Sequence, residues 1–231
     1  MSLSDHIKYY NKVVQGSDEW IALRRGIITA SEMKLILTPT LKTANNDKEK
    51  AHMYELAAQR ITEYVEPHYI SDDMLRGCED EIEARQLYDL TYAKVQEVGF
   101  IVNNSQGFKI GYSPDGVVGD DGLIECKGRR QKYQLSTIIE GKVPPEHMLQ
   151  VQTGLWVTGR KWCDFISYCG GMDMITIRVF PDIDMQEAIV NAATEFEARV
   201  NKIVERFRMI QKEGFTLLIP TERRIEMDIS I

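Results

Sequence analysis

A turn and the strand-like run that follows it carry the residues with the clearest chemical potential. Asp115 follows a Ser-Pro pair on the turn, and Glu125 precedes Lys127 by two residues in the apolar run. Because side chains alternate along a strand, Glu125 and Lys127 face one side and Cys126 faces the other. Two carboxylates and an ammonium would then converge, and such hard oxygen ligands favour Mg²⁺ or Mn²⁺ over zinc. This grouping indicates phosphodiester hydrolysis.

The same short patterns recur elsewhere in the chain, so the sequence context decides which copy is the candidate site. Glu-x-Lys also occurs at 32–34 and 140–142, and Pro-Asp also occurs at 181–182. Only Glu125 lies in a run typical of a strand, after a hairpin loop at 119–122. A surface hairpin with an exposed Glu–Lys pair is the alternative, because motifs this short are weakly tied to function.

Composition favours one domain of ordinary size. The 231 residues, 43% of them hydrophobic, suffice for a substantial core. The sequence has neither a membrane-length apolar run nor the features of a signal peptide, which predicts a cytoplasmic location and no membrane partner. The four scattered cysteines lack Cys-x-x-Cys spacing, so we expect reduced and buried thiols.

The distribution of charge is compatible with DNA despite a formal net charge of −7. Basic residues are concentrated directly after the proposed strand, at Lys127, Arg129, Arg130 and Lys132. Arg24 and Arg25 form a second basic point. A basic rim around an acidic metal site suits a polyanion, which makes Arg129 and Arg130 candidate DNA contacts. A solvated charged loop is the alternative.

Apolar periodicity and turn residues predict an α/β fold in which helices flank a small central mixed sheet. Helices are expected at 18–25, from a capping box at 29–32 through Ile36, and at 48–65, 79–97, 131–141, 146–158 and 182–212. Strands are expected at 108–112, around Glu125, at 163–168 and at 175–180. Without repeats or linkers, the whole chain, 1–231, is expected to form a single domain.

Two other segments carry candidate ligands, each with a simpler alternative. Acidic residues crowd 79–83, where Glu81 would either supply a third metal carboxylate or belong to a solvated helix start. Arg24 precedes Thr29 and Ser31 at a predicted helix start, and this combination suits a phosphate group. Alternatively, Thr29 and Ser31 are simply helix caps.

Five segments in a fixed order give the sequence a specific resemblance. They are 20–32, 77–85, 113–116, 125–127 and 150–158. In these segments the chain resembles the alkaline exonucleases of the phage lambda type, which are YqaJ-type viral recombinases of the PD-(D/E)xK nuclease superfamily. The resemblance extends from about residue 13 to residue 210 and leaves 213–231 as a C-terminal tail.

The resemblance implies a restriction-endonuclease-like core with a two-metal site. Asp115 and Glu125 would bind two Mg²⁺ ions, for which Mn²⁺ would substitute, aided by Glu81 and the backbone carbonyl of Cys126. Lys127 would orient or help deprotonate the attacking water. The residues implied in a 5′-phosphate pocket are Arg24, Ser31, Ser113 and Gln150. Further implied DNA contacts are Gln152, Met74 as a wedge between the strands, and either Lys42 or Leu41.

By the same resemblance the chain would be a Mg²⁺-dependent 5′→3′ exonuclease. It would degrade one strand of linear double-stranded DNA with a 5′-phosphate to mononucleotides, leaving a 3′ overhang for phage recombination. A ring-shaped homotrimer and a phage single-strand annealing protein as partner are also implied, in the cytoplasm of a bacterial host. The alternatives are a restriction or junction-resolving endonuclease with the same hairpin, and a non-catalytic protein of the same fold that binds DNA ends.

Overall fold

A computed structural model describes residues 6–67, 71–214 and 218–223 of the chain. The helices are α1 (Asp18–Arg24), α2 (Met33–Ile36), α3 (Asp47–Thr62), α4 (Asp72–Thr91), α5 (Gln131–Glu140), α6 (Pro145–Thr158) and α7 (Ile183–Glu213). The strands are β1 (Ile7–Tyr10), β2 (Ile28–Thr29), β3 (Phe100–Asn103), β4 (Ile110–Tyr112), β5 (Gly116–Val118), β6 (Gly122–Gly128), β7 (Trp162–Tyr168) and β8 (Ile175–Val179). None of these helices combines the length and apolarity that crossing a lipid bilayer requires. Most of the predicted tail at 213–231 lies outside the described residues.

The described strands form two four-stranded sheets instead of the single small central sheet expected. The first sheet has the order β1-β3-β4-β2 and the second has the order β5-β6-β7-β8. Each sheet contains one parallel pair, β2 with β4 and β6 with β7, so the predicted mixed α/β class is confirmed. The chain passes from the first sheet to the second through 113–115, between β4 and β5. Asp115 therefore lies at the junction of the two sheets.

Strand β6 divides its side chains between two apolar clusters. Leu123 belongs to the main core, whereas Ile124 and Cys126 pack with α4 in a second, smaller cluster. Glu125 lies between these two residues in sequence and faces the side opposite to Cys126, as strand alternation predicts. All four cysteines are free, and all but Cys78 are buried.

Helix α4 begins at Asp72, several residues before the predicted start, and passes close to the end of β6. A Cβ atom placed on Gly128 would lie 2.7 Å from Asp80 Cβ and 3.1 Å from Gly77 Cα. Only a glycine at this end of β6 permits such a close approach. The contact holds the middle of α4, and with it Glu81, beside the end of β6.

The other long helices begin and end close to the predicted positions because their caps are local in sequence. Ser17 caps the start of α1 and Asp182 caps the start of α7, each through a side-chain oxygen. The capping box predicted at 29–32 does not form. Thr29 Oγ1 donates to Glu32 Oε2 at 2.5 Å, and a short 3₁₀ turn leads into α2.

Candidate active site

Asp115 is held by two hydrogen bonds, one from β6 and one from α4. Its Oδ2 accepts from the backbone N–H of Cys126 at 2.6 Å. Arg85, on α4, donates from Nη1 to the backbone carbonyl of Asp115 at 3.3 Å. Sequence patterns gave no indication of Arg85. Together these contacts fix the loop so that the Asp115 carboxylate lies beside the strand that carries Glu125.

The carboxylate of Glu125 is only 1% exposed and accepts three hydrogen bonds. Tyr112 donates from its phenol oxygen to Oε2 at 2.8 Å. The ammonium of Lys127 lies 2.7 Å from Oε1, and the side-chain amide of Gln150 also donates to Oε1. Burial and the charge of Glu125 raise the pKa of Tyr112 well above its ordinary value, so the phenol keeps its proton and donates. Both oxygens of Glu125 are therefore held in place.

Lys127 links Glu125 to a third carboxylate. Its Nζ lies 3.4 Å from Oε1 of Glu81, which the approach of α4 to the end of β6 brings within reach. The predicted catalytic residues gathered in this way are Asp115, Glu125, Glu81 and Lys127.

The carboxylates of this cluster repel one another. Burial, together with the charges of Glu125 and Glu81, raises the pKa of Asp115 well above its ordinary value. Burial also raises the pKa of Glu81, although Lys127 lowers it in part. Burial alone would lower the pKa of Lys127, but the surrounding carboxylates, Glu125 foremost, raise it instead. The carboxylates thus hold Lys127 as an ammonium.

The chemistry of the cluster fits a hard divalent cation. Its donors are carboxylate oxygens, and their mutual repulsion is what a bound cation relieves. Within the described residues, no three His, Cys, Asp or Glu side chains already form a metal-binding group. Lys127 Nζ lies between Glu81 and Glu125 instead.

A second, cationic feature lies at the other end of the loop that carries Asp115. Trp20 Nε1 donates to Ser113 Oγ at 2.9 Å, and Arg24 Nη1 donates to the same oxygen at 3.4 Å. The guanidinium of Arg24 also stacks on Trp20, 4.2 Å from the ring centroid. Because both partners of Ser113 are donors only, its hydroxyl proton points elsewhere and is available to a ligand. Arg24 and Ser113 thus form a pocket suited to an anion.

Ser31 lies on the 3₁₀ turn near this pocket. Its Oγ is 3.3 Å from Thr29 Oγ1. Burial lowers the pKa of Arg24, and the charge of Glu32 opposes that effect. Since α2 is only four residues long, side chains rather than a helix dipole give the pocket its character.

Gln150 and Gln152 lie in different environments. Gln150 was expected there, but the structure bonds its amide to Glu125. Gln152 is 1% exposed, accepts from the backbone N–H of Asp182 at 2.9 Å and donates to the carbonyl of Phe180 at 2.8 Å. It therefore joins α6 to the start of α7, and the structure does not support it as a DNA contact.

The residues predicted to contact DNA after α2 and in α4 lie on exposed surfaces. Lys42 is exposed in a turn at 38–42, where Leu41 adopts a positive φ of 57°. Met74 is 53% exposed in the first turn of α4. Both positions are open to a macromolecular ligand, and the structure does not distinguish between Lys42 and Leu41.

The basic residues after β6 are in two different environments. Arg129 donates to His147 Nε2 at 2.7 Å and to Glu146 Oε1 at 3.4 Å, which binds it to α6. Arg130 is exposed at the start of α5. His147 also stacks on Phe165, with 5.4 Å between ring centroids. Of the two arginines predicted to contact DNA, Arg130 lies on the surface. Arg129 instead fixes α6 to the end of β6.

A hairpin that presents Asp115, Glu125 and Lys127 against a helix carrying Glu81 is the arrangement of a PD-(D/E)xK nuclease core. The YqaJ-like viral recombinase domain matches residues 19–161, which is more than half of the sequence. The chain belongs to this family.

Solved structures agree with this assignment. The chain is 32% identical to an alkaline exonuclease, LHK-Exo, from Laribacter hongkongensis, with a TM-score of 0.76 over 85% of this chain and 99% of that chain. The structure of LHK-Exo in complex with dAMP matches with 33% identity and a TM-score of 0.77, over 85% of this chain and 99% of that chain. A phage related exonuclease from Haemophilus somnus shares the fold at 14% identity, with a TM-score of 0.56 over 80% of this chain and 98% of that chain. Among curated proteins, none matches significantly.

Proposed function

We propose that the chain is a Mg²⁺-dependent 5′→3′ exonuclease that acts on linear double-stranded DNA. The observation that carries the proposal is the convergence of three carboxylates and Lys127 beside a cationic pocket. Ser113 of that pocket and Asp115 of the carboxylate cluster are separated by one residue. The pocket would bind the 5′-phosphate of a strand end while the cluster acts on the next phosphodiester. Digestion would release mononucleotides and leave a 3′ overhang.

The carboxylate cluster would hold two Mg²⁺ ions, for which Mn²⁺ would substitute. The residues that would hold them are Asp115, Glu125, Glu81 and the backbone carbonyl of Cys126. When bound, the ions supply Lewis acidity toward the phosphoryl group and a nucleophile at neutral pH. Lys127 orients the attacking water and stabilises the negative charge that develops on the phosphoryl oxygens. Gln150 keeps Glu125 Oε1 in place.

The cationic pocket would give the enzyme its preference for a phosphorylated 5′ end. Arg24 presents a planar fork of N–H donors, which matches the geometry of a phosphate. The hydroxyl protons of Ser113 and Ser31 would complete the set of donors. LHK-Exo has been solved in complex with dAMP, a deoxynucleoside monophosphate. A nucleotide of that kind is what this chain would release, and this supports the proposed reaction.

The assembly and the biological setting are proposed from the family. The chain would act as one nuclease domain within a ring-shaped homotrimer threaded by DNA, with a phage single-strand annealing protein as partner, in the cytoplasm of a bacterial host. A ring keeps the enzyme on its substrate by topology. Tight electrostatic binding, which salt weakens, is then unnecessary, and the net charge of −7 is accommodated.

A comparison of linear and closed circular duplexes tests the function. We expect 5′-phosphorylated linear DNA to be converted to mononucleotides with Mg²⁺ and left intact with EDTA, and circular DNA to be left intact in both. Asp115→Asn, purified in parallel, should be inactive. Asp121→Asn is the matched control, because Asp121 is an exposed carboxylate paired with Lys161 at 2.9 Å, and it should retain activity. Cutting of the circle would indicate an endonuclease, and binding of ends without hydrolysis would indicate a non-catalytic protein.

A further inference from the structure

The three donors that hold Glu125 are divided unequally between its two oxygens. Lys127 and Gln150 both contact Oε1. Tyr112 is the donor that the structure describes for Oε2. Oε2 therefore depends on a single phenol, while Oε1 is shared by two side chains that also line the cluster.

Tyr112 is built into the core and has little freedom to move. It is 1% exposed, and its backbone is paired with Ile101 in the first sheet. Its ring passes over α6 where that helix has a glycine: a Cβ on Gly154 would lie 2.7 Å from both Cε1 and Cζ of Tyr112. Tyr112 thus reaches from the first sheet to a carboxylate of the second, and the position of its hydroxyl is fixed by packing from both sides.

We infer that Tyr112 is a positioning residue, which sets the orientation of the Glu125 carboxylate toward the metal ions. The inference rests on the proposed nuclease function, because it assigns Glu125 to metal binding. Without the phenol, Oε2 would be a buried acceptor without its donor, which is costly. The carboxylate would then rotate to recover hydrogen bonds, and Oε1 would leave the place where Lys127 and Gln150 hold it.

A positioning role and a purely structural role predict different measurements. If Tyr112 only stabilises the fold, its loss lowers the melting temperature and nothing else. If it orients a ligand of the metal ions, its loss weakens metal binding and lowers kcat, while KM for DNA stays the same because Tyr112 does not line the phosphate pocket. Removing a residue that orients a metal ligand typically costs about 10- to 100-fold in metal affinity or activity.

The test uses Tyr112→Phe, which keeps the ring and removes only the hydroxyl. Tyr88→Phe is the matched control: Tyr88 is also 1% exposed and donates to a carboxylate, Asp164 Oδ2, at 2.6 Å, but lies outside the catalytic cluster. Mn²⁺ affinity by titration calorimetry, kcat and KM with Mg²⁺, and melting temperature are measured for both variants and the wild type. We expect both to melt lower, and Tyr112→Phe alone to lose about tenfold or more in Mn²⁺ affinity and kcat.

Wild-type Mn²⁺ affinity and kcat in folded Tyr112→Phe would overturn the inference. If that variant does not fold, Gly154→Ala answers the same question, because it keeps the phenol but displaces the ring. It should also weaken Mn²⁺ binding, and an unchanged affinity would overturn the inference. Absence of Mg²⁺-dependent hydrolysis by the wild type would reject the nuclease proposal, whereas normal hydrolysis with an unaffected Tyr112→Phe would reject only the role of Tyr112.

Discussion

Arg24→Ala is expected to slow digestion of 5′-phosphorylated ends by about one to two orders of magnitude and to leave 5′-hydroxyl ends nearly unaffected. The guanidinium has five N–H donors, and its described hydrogen bond is a long one, 3.4 Å to Ser113 Oγ, so little is lost when Arg24 turns to a phosphate. Stacking on Trp20 holds it in place beforehand. A charge-assisted bond contributes roughly 1.5–3 kcal/mol. At ~1.4 kcal/mol per factor of ten, the loss of one such bond gives the expected range.

The assay compares initial rates on two linear duplexes that differ only in the 5′ group, for the wild type and the variant. Their double difference isolates the coupling between Arg24 and the phosphate. Arg25→Ala is the matched control, because Arg25 is the adjacent arginine and donates instead to the backbone carbonyl of Glu63. It should change both rates by the same small factor. If Arg24→Ala slowed both substrates equally, Arg24 would be a structural or general backbone contact, and the phosphate pocket would have to be abandoned.

Three other predictions concern catalysis, pH and assembly. Lys127→Ala should lower kcat by about 10²- to 10³-fold while calorimetry shows that Mn²⁺ binding is kept, and a near-normal rate would exclude the role given to this ammonium. Burial, followed by the charges of Lys127 and Arg129, lowers the pKa of His147 from 6.5 to about 4. As pH falls, the imidazole of His147 therefore becomes protonated in the unfolded chain at a higher pH than in the folded protein. The free energy of unfolding should consequently drop between about pH 6.5 and 4 by up to ~3 kcal/mol. Urea unfolding of His147→Gln should lack that part of the pH dependence. If the variant and the wild type had identical pH profiles of stability, the lowered pKa of His147 would be contradicted. Light scattering should give close to three times the 26.5 kDa chain mass, and a monomer that still degrades long DNA processively would count against a threaded ring.

The parts of the site that the sequence predicted are those fixed by local rules. Strand alternation alone places Glu125 and Lys127 on one side of β6 and Cys126 on the other, and the structure has this arrangement. The close approach of α4, which brings Glu81 to Lys127, depends on Gly128, where a Cβ atom would meet Asp80, and has no local signal. For that reason only the family resemblance identified Glu81 as a metal ligand. Its local sequence was also compatible with a solvated helix start.

The contacts that sequence reasoning missed join residues far apart in the chain. Trp20 and Ser113 are 93 positions apart, and the first sheet pairs β1 with β3 across a similar separation. Strands of four residues or fewer give little periodicity, so β1, β2 and β3 were not predicted, whereas β4 falls within the strand expected at 108–112. The resemblance implied Gln150 in the phosphate pocket and Gln152 as a further DNA contact. Positions i and i+2 of a helix do not face the same side, and the structure separates them accordingly.

Under the proposed function, the crossing at 113–115 between the two sheets would set the size of the product. Ser113 at one end contacts Arg24 and would bind the strand terminus, and Asp115 at the other end belongs to the cluster that would break the phosphodiester. Two residues of extended chain span about 7 Å, so a substrate anchored at Ser113 has room for one nucleotide, not several, before it meets Asp115. The rigid pairing of β4 on one side and β5 on the other prevents this interval from stretching. Lengthening the loop by one residue would therefore disturb product length as well as rate.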